Sequence, residues 1–237
     1  MKVEGSVAFV TGANRGLGAC FVKSLLHKGA SKVYAAARDI SMVTLQDARV
    51  VPVTLDITNL VQVEQAATLA SDVTLLVNNA GINHVEPLLG ARDLNAARRE
   101  MEVNYFGTLN MIRAFAPAMK HERGAIINVS SILARVALPS MASLCASKAA
   151  VLRMTEGVRA ELAPYGVRVL ALLPGAIDTD MSRDFPPPKI PAEQAIEEAL
   201  AALRDGPDEV YIGTMAQQVA AGLAADRRAL QESLSGF

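Results

Sequence analysis

The sequence predicts an α/β fold: one doubly wound domain built on a mostly parallel sheet of about seven strands, with helices on both faces. Three observations carry this expectation. Short apolar runs recur along the chain and alternate with amphipathic stretches of helical length. The first apolar run ends in a glycine-rich turn. The chain has 237 residues, 51% of them apolar and 20% charged, enough to build one large core. Strands that alternate with helices need crossover connections, and crossovers make neighbouring strands parallel.

In chain order, residues 7–10 read as a short buried strand and 19–28 as an amphipathic helix, closed by Gly29 just past its end. Residues 33–37 and 50–55 are the second and third strands, 60–70 a helix, and 74–77 the fourth strand. A long helical pattern covers 94–119, with Pro117 near its end, and Gly124 precedes the strand 125–129. Residues 143–163 form a second long helix; 168–173 is an apolar strand that Pro174-Gly175 ends sharply. After Pro186-Pro187-Pro188, residues 192–203 return to helix, 209–212 form a last strand and 215–234 a charged surface helix. One domain over 1–237 is expected, with a short substrate loop at about 181–191 and a C-terminal helical region over 192–237.

A formal charge of −1 provides no basic field for nucleic acid. Cys20 and Cys145 are too few for a disulfide framework, and residue 1 leads into a strand without a signal-peptide pattern. No apolar run approaches the roughly 20 residues that a membrane helix needs. These features set the expectation of a cytoplasmic protein with no membrane, nucleic-acid or metal partner.

In an open parallel sheet, ligands bind outside the carboxyl ends of the strands. The stretch Val10-Thr11-Gly12-Ala13-Asn14-Arg15-Gly16-Leu17-Gly18 lies at such an end. Its glycines let the backbone turn tightly, approach a pyrophosphate and open a helix whose first amides point at the anion. Taken alone, they are equally compatible with ordinary turn punctuation.

The spacing Gly-x-x-x-Gly-x-Gly with Thr11 ahead resembles the short-chain dehydrogenase/reductase family, and the family's other landmarks follow in order. They are Asp56 after the third strand, Asn78-Asn79-Ala80-Gly81, Asn104, Ser131 after the fifth strand, Lys148, and Pro174-Gly175 with Thr179. The resemblance spans roughly residues 3 to 181. It implies a Rossmann-type domain whose nicotinamide cofactor is held by Gly12, Asn14, Arg15, Gly16, Leu17, Gly18, Arg38, Asp56, Ile57, Asn79, Ala80, Gly81, Lys148, Pro174, Gly175, Ile177 and Thr179. Asp56 would meet the adenine, or serve only as a strand-end cap; Thr179 would contact the nicotinamide carboxamide. The resemblance further implies a homodimer or homotetramer paired through the two long helices.

The choice of cofactor falls at the end of the second strand, where NAD-binding members place an acid for the ribose hydroxyl. Ala37 stands there, followed by Arg38, with Arg15 in the glycine loop. Two guanidinium groups suit a 2′-phosphate, because each offers fixed pairs of donors and a permanent charge. NADP(H) is therefore expected ahead of NAD(H), with Asp39 as the residue that opposes the choice.

In the family, a tyrosine four residues before the lysine exchanges the substrate proton, a serine holds the substrate oxygen, and the lysine lowers the tyrosine pKa and holds the ribose. Ser131, Lys148 and Asn104 match, but the tyrosine position is Leu144. Residues i and i+4 share a helix face, so Leu144 should present only methyls beside Lys148. Loss of a positioned acid costs about 10²- to 10⁴-fold in rate. Tyr34, Tyr105, Tyr165 and Tyr211 all lie away from this segment. His84, just past the Asn-Asn-Ala-Gly strand end, is the candidate replacement, since imidazoles as a class titrate near neutrality. Cys145 lies about 100° round the helix and reads as a small apolar residue. Ser140, Ser147, or a water held by Ser131, Lys148 and Asn104 are further candidates, and Arg135 lies near the expected substrate mouth or on the surface. The reading is an NADP(H)-dependent oxidoreductase for a small carbonyl or alcohol substrate with atypical proton transfer. The alternatives are an impaired NADP(H)-binding sensor or partner protein, and a non-redox elimination or isomerisation enzyme.

Overall fold

Alternate residues of the first strand, β1 (Val7–Thr11), face opposite layers: Ala8 and Val10 pack into one core and Phe9 into the other. The same alternation runs through β2 (Lys32–Ala37), β4 (Leu75–Asn78), β5 (Ala125–Val129) and β6 (Arg168–Pro174), so the sheet is covered on both faces. With β3 (Val50–Thr54) and β7 (Glu209–Ile212), seven strands pair in the order β3-β2-β1-β4-β5-β6-β7. Every pairing is parallel. The computed structural model describes residues 1–235, so Gly236 and Phe237, the end of the expected C-terminal region, lie outside the described residues.

One layer is made by α1 (Gly16–His27) and α6 (Ala192–Asp205), whose Phe21, Leu25, Ile196 and Leu203 pack on Val10, Val33, Val77 and Leu170. The other is made by α2 (Leu60–Leu69), α4 (Thr108–Glu122) and α5 (Ala142–Leu162). There Phe115 of α4 meets Phe9 with ring centroids 4.8 Å apart. A third cluster joins Ile132, Val136, Leu152 and Leu173 to α7 (Gly213–Ala225) and α8 (Arg227–Ser235). Among the described residues, no helix is long and apolar enough to cross a membrane.

Two long helices of the sequence reading are subdivided. The pattern over 94–119 becomes α3 (Asn95–Glu100), a widened π segment at Met101–Gly107, and α4. The widened turn lets bare Gly107 receive Ile57, since a methyl there would lie 2.6 Å from Ile57 Cγ1. The stretch 215–234 breaks at Asp226, whose extended backbone ends α7 and whose carboxylate accepts the Arg228 and Ala229 amides at 2.9 and 3.0 Å. An N-cap acid inside a helical hydropathy pattern restarts the helix in a new direction.

A buried polar chain locks the sheet to α5. Asn78 Nδ2 donates to Asn128 Oδ1 at 2.8 Å, Asn128 Nδ2 to Thr155 Oγ1 at 2.9 Å, and Thr155 Oγ1 to the Val151 carbonyl at 2.7 Å. Asn128 and Thr155 are both wholly buried. Asn128→Ala strands the groups on either side, so urea unfolding should show a loss of about 2–4 kcal/mol with an unchanged denaturant slope. A loss under about 0.5 kcal/mol, the size of an ordinary surface substitution, would contradict this role.

Candidate functional site

The glycine loop reaches the sheet at the point where strand order reverses, between β1 and β4. Gly12 and Gly16 have φ of +65° and +51°, a region that favours glycine. The Thr11 hydroxyl accepts from the Asn79 and Ala80 amides, both at 3.0 Å, and donates to the Val77 carbonyl at 3.4 Å. Asn79 Nδ2 donates to the carbonyls of Thr11 and Gly12 at 3.0 and 3.3 Å, tying the two strand ends together. No side chain caps α1, whose N-cap residue is Arg15, so the amides of its first turn remain available to an anion. Gly18 lies beneath the loop, against the Gly12 carbonyl and Asn79.

A cleft of about 940 Å³ runs along the carboxyl edge of the sheet from this loop. Gly12, Asn14, Arg15, Gly16, Leu17, Arg38, Asp56, Ile57, Asn79, Ala80, Gly81, Lys148, Pro174, Gly175, Ile177 and Thr179 all line it. At one end β2 finishes in buried Ala37 and exposed Arg38 follows on the wall; exposed Arg15, the N-cap of α1, lines the same cleft. Asp39 also lines the cleft; one of its carboxylate oxygens accepts the Ser41 hydroxyl at 2.6 Å and its amide at 3.0 Å, which hold the carboxyl below its usual range. Burial pushes the Asp56 carboxyl up, but the Thr58 amide and hydroxyl, at 2.9 and 2.7 Å, and the Arg38 charge outweigh it and hold it low.

At the other end, Ser131 caps a short 3-10 turn, its Oγ accepting the Leu133 amide at 3.1 Å. Lys148 Nζ donates to the Val129 carbonyl at 3.0 Å and would lie 3.5 Å from a methyl at Gly81. Burial pushes its ammonium down to about 8 against the opposing charge of Glu100. Leu144, one turn earlier on α5, is buried and faces the same cleft. Ser131, Leu144 and Lys148 thus line one cleft, as do the apolar side chains of Leu133, Val136, Leu138, Met141 and Met215. Thr179 closes over the glycine loop, 3.6 Å from a methyl built at Gly16. Phe185 and Pro186 of the loop that follows also line the cleft.

Asn104 is buried behind the cleft wall. Its Oδ1 accepts the Ile82 amide at 2.8 Å, while Nδ2 donates to the Ile82 carbonyl at 3.1 Å and to Ser147 Oγ at 3.0 Å. Both amide hydrogens are therefore used, and one oxygen lone pair is left for a water. His84 is exposed and does not line the cleft; its backbone amide is drawn to Glu100, which leaves the ring outside. Arg135 also stays out of the substrate mouth, bound to Glu209 at 2.5 Å across β7 and near Glu156 at 3.8 Å. Cys145 is buried, its thiol pushed up by burial and accepting the Leu138 amide at 3.4 Å. Among the described residues, no tyrosine lines the cleft.

Sequence reasoning missed Glu100 and Ser143. Glu100 is wholly buried, and its carboxylate accepts the His84 amide at 2.7 Å and the Ser143 hydroxyl at 2.6 Å. In the sequence it sits among Arg98, Arg99 and Glu102, a run that reads as a solvated helix face. The only available signal was its place four residues before Asn104, one helical turn away.

The fold is that of a Rossmann-type α/β protein, with its cleft along the carboxyl edge of the sheet. The family described as short chain dehydrogenase matches residues 6–189. The chain belongs to this short-chain dehydrogenase/reductase family, oxidoreductases that act on CH–OH groups. A 3-oxoacyl-(acyl-carrier-protein) reductase from Thermotoga maritima is 33% identical over 89% of both chains. A galactitol 2-dehydrogenase from Agrobacterium fabrum is 32% identical over 75% of this chain and 73% of its own length. The crystal structure of a short chain dehydrogenase from Burkholderia cenocepacia J2315, in complex with NADP, is 64% identical and covers 99% of each chain with a TM-score of 0.96.

Lys148 gives the site a pH signature in stability. Its folded pKa of about 8 lies below the ordinary 10.5. Below pH 8 the ammonium is charged in both states, so the full burial cost, up to about 3 kcal/mol, opposes folding. Between pH 8 and 10.5 the unfolded chain binds the extra proton, so this cost fades as pH rises. Lys148→Met should therefore melt above the unsubstituted protein at pH 7, with the difference closing towards pH 10.5. An advantage independent of pH would contradict this origin.

Proposed function

We propose that the protein is an NADP(H)-dependent oxidoreductase acting on a small carbonyl or alcohol substrate, with a proton route that does not use tyrosine. The observation that carries the cofactor choice is that two arginines line the cleft, Arg38 at the end of β2 and Arg15 in the glycine loop, while Ala37 offers no acid and Asp39 is engaged with Ser41. The cradle suits a dinucleotide as well: bare Gly12, where a methyl would lie 3.0 Å from Ala80 Cα, packs the loop closely on the end of β4, and no side chain caps the first amides of α1. The NADP held by the Burkholderia cenocepacia relative supports the same choice.

Bound there, a nicotinamide cofactor supplies or accepts the hydride. Ser131 orients the substrate oxygen, and the apolar wall from Leu133 to Met141 favours a substrate with little charge. Leu144, at the family's tyrosine position, presents methyls and moves no proton. Lys148 then becomes the proton source for carbonyl reduction. Its ammonium, near 8, is still mostly protonated at pH 7 and lies one helical turn from Leu144. The proton passes through the Ser131 hydroxyl or a bridging water. Asn104 has one lone pair for that water rather than a full hydrogen-bonding set.

A second reading, a non-catalytic NADP(H)-binding protein, is favoured by the same Leu144. Measuring NADPH oxidation against aldehydes, ketones and imines separates the two, with Leu144→Tyr and Arg38→Asp alongside. The expected outcome is slow turnover by the natural protein and a gain of about 10²-fold or more on installing the tyrosine. Arg38→Asp should weaken NADP binding far more than NAD binding. NADPH binding with no turnover of any substrate, together with activity in Leu144→Tyr, would establish the non-catalytic reading. Equal losses for the two cofactors in Arg38→Asp would overturn the cofactor assignment.

A further inference from the structure

Glu100 ends α3 with its side chain wholly removed from solvent. Burying a carboxylate costs several kcal/mol unless its oxygens are well bonded, and an apolar residue would fill the same space without that cost. Both oxygens have a partner, and the partners lie on two different elements beside the cleft. Oε1 takes the His84 amide at 2.7 Å, in the loop after β4; Oε2 takes the Ser143 hydroxyl at 2.6 Å, in the first turn of α5. The backbone amide can only donate, so Oε1 is the acceptor in that bond.

The loop that it holds is strained. Val85, next to His84, has φ +52°, an unfavourable conformation for a β-branched residue, and its amide is held by Asn83 Oδ1 at 2.9 Å. Val85 and Asn83 both line the cleft. One turn beyond Glu100, Asn104 fixes Ile82 through both its amide and its carbonyl. A single helix therefore pins the cleft loop at Ile82 and at His84. The same carboxylate reaches α5 at Ser143, immediately before Leu144 and five residues before Lys148.

We infer that Glu100 is a positioning residue of the cleft: its buried carboxylate clamps the loop after β4 to the first turn of α5 and sets a fixed negative charge behind Lys148. The ionisable groups facing it are Lys148 and Cys145, both from α5. His84 contributes only its amide, and on the helix of Glu100 itself Arg98, Arg99 and Glu102 are exposed. Burial drives the Lys148 ammonium down, and the Glu100 charge partly restores it. A lysine whose charged form burial disfavours keeps its proton at neutral pH more readily with such a counter-charge. The inference deepens the proton-source role of Lys148 proposed above, but the clamp and the charge are properties of the cofactor-free protein.

The test is a titration of the cofactor-free protein carrying [6-¹³C]lysine, with the Lys148 signal assigned by its loss in Lys148→Met. In Glu100→Gln, which keeps the shape and removes the charge, the Lys148 midpoint should fall by about one unit or more. In Ser143→Ala, which removes one clamp bond and keeps the charge, the midpoint should stay while the melting temperature drops. A folded Glu100→Gln with an unmoved midpoint overturns the inference. Should Glu100→Gln not fold, Glu100→Asp, which withdraws the carboxylate by one methylene, decides: a lower melting temperature with a lower Lys148 midpoint supports it, and an unmoved midpoint overturns it. No nucleotide enters the measurement, so its failure leaves the NADP(H) assignment standing, and failure of that assignment leaves this result unchanged.

Discussion

A methyl group at position 18 would lie 2.1 Å from the Gly12 carbonyl oxygen and 2.6 Å from the Asn79 amide nitrogen. Backbone cannot retreat from such a contact, so only glycine lets α1 descend onto the ends of β1 and β4. That approach fixes the rest of the cleft. It brings the first amides of α1 to the point where strand order reverses, and it leaves Gly12, Gly16 and Arg15 along the cleft wall. Thr11 and Asn79 hold the strand ends from below with donors and acceptors that are already satisfied, so the loop above them presents backbone rather than competing side chains. Thr179 then packs over Gly16 and joins the far half of the sheet to the same loop.

From this junction the cleft divides into two chemical environments. The end near β2 is wet and cationic, with exposed guanidinium groups and acids tied into local turns. Near α5, burial is the largest influence on Lys148, which lines the cleft, and on buried Cys145, earlier in the same helix. Position 144 sharpens the contrast. A leucine adds apolar surface beside an ammonium that burial already disfavours, and Glu100, held by an amide and a hydroxyl, acts in the opposite direction. The polar chain from Asn78 through Asn128 to Thr155 keeps α5 in place on the sheet while those charges are balanced.

The strands and most helices were legible in the sequence because doubly buried strands must be apolar for their whole length, and because glycines and prolines mark where they end. The sheet is more regular than expected, parallel throughout. What hydropathy could not show were changes of direction within a continuous helical pattern. The π segment before Gly107 depends on a distant side chain, Ile57, and the break at Asp226 on one carboxylate capping two amides. In the cleft, residues that directly follow strand ends were readable, since topology alone sends them to one edge. Side-chain direction in loops and helices was not. His84 follows the right strand, but its amide is drawn inward and its ring left outside. Arg135 follows Ser131, yet Glu209 on β7 captures it. Glu100 looked like one more solvated charge until packing buried it.

The proposed NADP(H) site would hold the dinucleotide along the cleft, with its 2′-phosphate between Arg15 of the glycine loop and Arg38 at the end of β2. A crystal structure of the protein grown with NADP⁺ tests this most directly. The expected density lies along the carboxyl edge of the sheet, with the pyrophosphate over the start of α1 and the 2′-phosphate within hydrogen-bond distance of both Arg15 and Arg38. A 2′-phosphate facing solvent away from both guanidinium groups, or a nucleotide bound outside the cleft, would contradict it.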